Sequence, residues 1–238
     1  MSDSPEHRIQ EQLSSLGPSP GYAEVQRIGR KLMTLCKSAA GRMGSREVRV
    51  VLASSFTIDP LAAALALECA RAGLYPVIQV DGFNTFRPHM IDSRSSIYDF
   101  RPDMVFLAAE LDSITALLDA EDANPAEAAE DAIRQLTELI AAFRRNSQAL
   151  LVMHNFAAPV SFPFSLQRDH RSRVYNEVNA WLEKTYADDP QICVLDIERL
   201  SSFHGKCRTT DPKLHYLGSI EVSESFLPLI VKAYMAYI

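Results

Sequence analysis

The sequence is poor in the features that announce a function outright. Its four cysteines, Cys36, Cys69, Cys193 and Cys207, are far apart and never form a CxxC pair, so neither a zinc knuckle nor a redox couple is suggested. At this chain length a disulfide framework is also not expected, and the thiols read as reduced. No HxH, HxxxH or HExxH spacing occurs, and neither GxGxxG nor GxxxxGK[ST] is present. Metal chemistry and nucleotide binding through a glycine loop therefore have no motif to rest on, and no metal or cofactor is expected. Nowhere do eighteen apolar residues run together, and MSDSPEHRIQEQL at the start carries acids without an apolar stretch, so neither a membrane span nor a signal peptide is expected. The reading is of a cytoplasmic protein. A net charge of −6, with basic residues dispersed apart from Arg144-Arg145 and the cluster from Arg168 to Arg173, leaves no broad surface for a nucleic-acid backbone.

What the chain does have is 238 residues of 47% apolar composition, enough for a full core. The segments at 48–53, 76–80, 103–108, 149–154 and 192–197 are continuous apolar runs of strand length. Strands read this way when both faces of a parallel sheet are covered. Helical patterns are predicted at 59–72, 112–119, 124–146, 169–187 and 223–237. The alternation predicts an α/β three-layer sandwich with a flavodoxin-like, five-stranded parallel sheet. In the first of these helices Asp59 is the expected N-cap, Pro60 suits the first turn and Gly73 ends it. Residues 1–46 are assigned to a helical N-terminal extension, in which the amphipathic stretch 22–40 packs on the same domain, and 47–238 to the α/β domain.

In an open parallel sheet, ligands bind beyond the carboxyl ends of the strands. That rule selects Ser54, Ser55 and Thr57 after the first strand, Asp81 and Asn84 after the second, and Glu110 and Asp112 after the third. His154 and Asn155 follow the fourth strand, and the 201–218 loop adds His204, Lys206, Arg208, Asp211 and His215. Nucleophilic catalysis needs a hydroxyl beside a base that a third group orients. Ser55, His215 and Asp211 have the chain order for this, although a serine between strand and helix is more often a cap. His154 and Asn155 have an equally plain reading as groups that satisfy backbone at the sheet edge. His89 reads as a surface or packing residue.

SSFTIDPLAAALALECARAGLYPVIQV and the later Ser96, Ile97, Tyr98, Phe100, Pro102 and Asp103 are similar to the N-terminal region of FkbH-like proteins, and DPKLHYLGSIEVSESFLPLI resembles the segment that closes that region. The resemblance covers roughly 48–238. It implies an SGNH-hydrolase-like fold and work in polyketide or related secondary-metabolite assembly, with an acyl carrier protein or its acyl or glyceryl unit as partner. It also implies a separate haloacid dehalogenase-type domain, of which no DxDxT segment is present here. Active SGNH enzymes carry Gly-Asp-Ser where this chain has Ala53-Ser54-Ser55, and Gly-x-Asn-Asp where it has Ala109-Glu110-Leu111-Asp112. Loss of one oxyanion donor typically costs about 10²–10³ in rate. Two functions follow as expectations: a non-hydrolytic module recognising the carrier or its cargo, with Ser54, Thr57, Asp81, Asn84, Glu110, Asp112, His154, Asn155 and His204 in contact, or a serine esterase or acyltransferase using Ser55, His215 and Asp211.

Overall fold

The structure, a computed structural model, describes residues 4–119, 124–160 and 170–238. Arg168 of the basic cluster lies outside them, as does the 121–123 stretch of the acidic run before the long helix. Each of the five apolar runs is a strand: β1 (Glu47–Ser54), β2 (Tyr75–Val80), β3 (Met104–Ala108), β4 (Leu150–His154) and β5 (Ile192–Leu195). All pairings are parallel and the order is β2-β1-β3-β4-β5, so the direction of winding reverses between β1 and β3. Pro76 lies in β2, an edge strand, where a missing N–H need not break a ladder on both sides.

Side-chain alternation along these strands builds two cores. Val50, Leu52, Phe106, Ala108 and Val152 face one side, and Val51, Ala53, Val105, Leu107, Leu151 and Met153 face the other; all are buried. The first core is covered by α2 (Tyr22–Ser38), α3 (Asp59–Arg71) and α11 (Leu227–Met235), with Ile9 of α1 (Pro5–Ser14) joining it. The second is covered by α4 (Phe86–Ile91), α5 (Ser96–Asp99), α6 (Leu111–Ile114), α7 (Pro125–Asn146) and α8 (His170–Tyr186). Helices on both faces of one parallel sheet make the expected three-layer α/β sandwich. Two further helices, α9 (Ile197–His204) and α10 (Pro212–Gly218), lie in the segment after β5.

The stretch at 22–40 does pack on the sheet domain. Its α2 approaches α3 so closely that a Cβ on Gly29 would stand 2.0 Å from the Ala63 carbonyl oxygen, and the Gln26 amide donates to Pro60 O at 2.8 Å.

Three local expectations are corrected. Asp59 is not the N-cap of α3: Ile58 occupies that position without a side-chain bond, and Asp59 is the first helical residue, where its charge suits the helix dipole. The 112–119 stretch is broken at Thr115, whose hydroxyl bonds Asp131 at 2.7 Å, into α6 and a separate 3₁₀ turn. The fifth strand stops at Leu195 because Asp196 caps α9, accepting the Arg199 N–H at 3.0 Å. Among the described residues no helix is long and apolar enough to cross a membrane.

Candidate functional site

The carboxyl ends of β1, β3 and β4 border a cavity of about 400 Å³. Its apolar wall includes Phe56, Phe156, Val160, Phe226 and Ile230, and its polar wall holds Glu110, Asp112, His154, Tyr175 and Glu221. This is the size and mixture of a small-molecule site, placed at the switch in strand order as expected for an open α/β sheet.

β1 delivers Ser55 to this rim. The Ser55 N–H bonds Ala108 O at 3.2 Å and so prolongs the β1–β3 ladder by one residue. That fixes a buried hydroxyl under the start of the next loop: Ser55 Oγ accepts the Glu110 N–H at 3.0 Å and lies 3.5 Å from Glu110 Oε2. The Glu110 carboxyl is pushed up to about 7, first by desolvation and then by the charges of Glu221 and Asp112. The His215 charge and the Ser55 hydrogen bond act in the opposite direction. Glu110 also keeps open surface toward solvent, which screens these charges; the upward direction follows from all the leading causes.

His154, at the end of β4, is buried and its Nε2 lies 2.8 Å from the Tyr234 hydroxyl. Burial brings the imidazole down to about 4, so the ring is neutral at ordinary pH. Tyr234 is held flat against Phe106, with ring centroids 3.8 Å apart. On α8, one turn apart, Arg171 hydrogen-bonds Tyr175, and both line the cavity. Lys206 reaches the same wall, anchored to Glu198 at 2.6 Å and to Ala158 O at 2.9 Å.

Other polar residues chosen from the sequence serve the fold. The Ser54 hydroxyl bonds Phe56 O. Thr57 ties its loop to the end of α10, through Oγ1 to Gly218 O at 2.6 Å and N–H to Ser219 O at 2.9 Å. Asn155 lines the cavity, yet its amide bonds Asp196 Oδ1 at 2.8 Å and accepts the Glu198 N–H at 3.0 Å, which secures α9. His204 stacks on Phe226 and bonds Ser225 Oγ at 3.0 Å. Asp81 is buried beside His89, at 2.6 Å from its Nδ1, and the Asn84 N–H bonds Ser54 O at 3.2 Å; neither Asp81 nor Asn84 lines the cavity. His89 is a partly exposed residue whose ring hydrogen-bonds the Asp81 carboxyl.

Among the described residues no hydrogen bond joins Ser55, His215 and Asp211 into the expected triad. Asp211 is the N-cap of α10, its Oδ1 accepting the Lys213 N–H at 2.9 Å, a role that short acidic side chains favour. His215 pairs through Nδ1 with Glu221 instead. Lys206 of the 201–218 loop was among the strand-end candidates and lines the cavity, whereas Glu221, Arg171 and Tyr175 were not singled out from the sequence. Only the i, i+4 spacing of Arg171 and Tyr175 hinted at a shared face.

No family model matches the chain, and no curated protein matches it. Among solved structures it is similar to the crystal structure of the N-terminal part of the protein BF1531 from Bacteroides fragilis, containing a phosphatase domain and complexed with Mg. The TM-score is 0.73 at 13% identity, covering 91% of this chain and 56% of that one. The chain thus spans about half the length of that structure, and the likeness is one of fold.

That structure is described by its phosphatase domain and not as an SGNH hydrolase, which overturns the identification as an FkbH-like SGNH domain. Recognition of a carrier protein and esterase or acyltransferase action through Ser55, His215 and Asp211 are withdrawn with it. Among the described residues no group of three or more His, Cys, Asp or Glu is placed to hold a metal ion, and the sequence has no DxDxT segment.

Proposed function

We propose that this domain is a small-molecule enzyme whose cavity at the ends of β1, β3 and β4 carries out proton transfer through Glu110. One observation carries this reading: a carboxyl pushed up to about 7 stands at the mouth of a cavity of about 400 Å³. A general acid or base works best when its pKa lies near the operating pH, and a carboxyl reaches that range only through the burial and like charges found here. Ser55 is a positioning residue, holding the Glu110 backbone and bonding its carboxyl. Asp112 and Glu221 disfavour an anionic group at the same wall, so the part of the ligand nearest Glu110 is neutral and bears hydroxyls.

The test is a carboxyl-carbon NMR titration of the chain labelled at glutamate, with Glu110→Gln to assign the resonance. Glu110 is expected to titrate near neutrality and to shift when glycerol or hydroxyacetone is added at saturating concentration. A midpoint at the ordinary glutamate value would remove the acid–base role.

A further inference from the structure

Tyr234 and His154 fix more than each other's position. The Tyr234 hydroxyl is completely enclosed, and among the described residues its one partner is His154 Nε2. A buried hydroxyl proton needs an acceptor, so Tyr234 donates and Nε2 accepts. In a neutral imidazole the remaining proton then resides on Nδ1. Nδ1 has no hydrogen-bond partner among the described residues, and it is not among the sealed-off polar atoms without one. The residue is 6% exposed and lines the cavity, the open space next to it into which an unpartnered N–H can donate.

Glu110 borders the same cavity from the loop that follows the neighbouring strand. β3 and β4 pair through Leu107 and Met153, which puts His154 one residue and Glu110 three residues past that pair. Glu110 lies past the end of β3 at the start of α6, and both residues line the cavity of about 400 Å³, which has room for a molecule of a few heavy atoms. A carboxyl base paired with a neutral imidazole donor is a recurring arrangement for moving a proton next to a carbonyl, since the imidazole polarises the oxygen without giving up its proton in the ground state.

We infer that the cavity takes a small α-hydroxy carbonyl compound, whose carbonyl oxygen accepts from His154 Nδ1–H while Glu110 removes the proton from the adjacent carbon. The inference rests on Glu110 as the acid–base group and adds the substrate class and the electrophile. As the C–H bond breaks, its electron pair forms the C=C bond of an enolate and the carbonyl π pair moves onto oxygen. The proton resides on Glu110 and returns to the carbon it left, restoring the carbonyl, so the step is balanced without a co-reactant. Phe156, Val160 and Phe226 leave room for an apolar substituent beyond the reacting carbons.

Hydroxyacetone in deuterium oxide is the probe, with loss of its α-proton signals followed by NMR for the full chain, Glu110→Gln and Tyr234→Phe. The expected result is exchange at least about 100-fold faster with the unaltered chain than with Glu110→Gln, the usual range for a positioned acid or base. Tyr234→Phe, which frees the imidazole to place its proton on either nitrogen, should fall between them. Long-range nitrogen–proton spectra of the unaltered chain give a reading that needs no variant, and should show the His154 proton on Nδ1. A proton on Nε2, no binding of hydroxyacetone, or binding without faster exchange would overturn the inference. Glu110 titrating near neutrality in that event would leave the broader acid–base reading standing, whereas an ordinary titration would remove both.

Discussion

Ser55 Oγ sits between the backbone and the carboxyl of one residue, accepting the Glu110 N–H at 3.0 Å and lying 3.5 Å from its Oε2. The hydroxyl therefore has two jobs that one substitution removes together. Ser55→Ala deprives the N–H of its acceptor, at a cost of about 1–3 kcal/mol if no water replaces it. The same change deletes a bond that holds the carboxyl down, so Glu110 should titrate higher than in the unaltered chain. Denaturant melts and the carboxyl-carbon titration check the two effects separately. A Glu110 value that falls in Ser55→Ala would mean the hydroxyl does not stabilise the carboxylate.

Stability should depend on pH through two groups of opposite sign. Glu110 holds its proton more tightly in the fold, with a value raised from 4.5 to about 7. Its contribution is full below 4.5 and is lost as pH rises through 7. His154 behaves in reverse: burial lowers it from 6.5 to about 4, so its contribution is full above 6.5 and is lost as pH falls through 4. Between 4.5 and 6.5 the slopes oppose each other. Glu110→Gln removes one and leaves the other, so its melting temperature should climb with pH across that window more steeply than that of the unaltered chain. Parallel profiles would show that Glu110 is not perturbed in the fold.

The strands were legible because the middle of the sheet is buried on both faces, which leaves short apolar runs such as VVLA in β1 and LLVM in β4. The short helices were not. α4 is held by contacts remote in sequence, among them Arg87 Nη1 to Ile114 O at 2.8 Å, and nothing in FRPHMI alone marks it as helical. In the site, the strand-end rule found Glu110, Asp112 and His154, since it depends only on topology. It could not separate them from Asn155 and Asp211, whose polar atoms are committed to helix caps. Glu221 escaped notice because its role comes from a pairing with His215 across the turn after α10.

The contact of α2 with α3 admits no side chain at Gly29. Alanine is the better helix former by about 1 kcal/mol, which on its own would stabilise α2. Against this stands a Cβ placed 2.0 Å from the Ala63 carbonyl oxygen, a backbone atom that cannot swing aside. The clash wins, and Gly29→Ala should destabilise the chain by about 1–3 kcal/mol, the usual range for overpacking. Urea unfolding measures it. A neutral or stabilising result would mean that the two helices are farther apart than described.

Tyr234 combines a large apolar ring, stacked on Phe106, with one buried hydrogen bond to His154. The two parts are separable. Tyr234→Phe keeps the ring and leaves Nε2 without its donor, for an expected loss of about 1–3 kcal/mol. Tyr234→Ala also opens a cavity beneath α11 and should cost about 3–5 kcal/mol, the range for deleting a buried aromatic. The phenylalanine variant has a second signature, because an imidazole deprived of its donor can itself become the donor and point its proton elsewhere. Its His154 nitrogen shifts should then report a mixture of the two neutral forms, where the unaltered chain shows one. Equal losses for the two variants would place the worth of Tyr234 in the hydrogen bond rather than the ring, contrary to the stacked geometry.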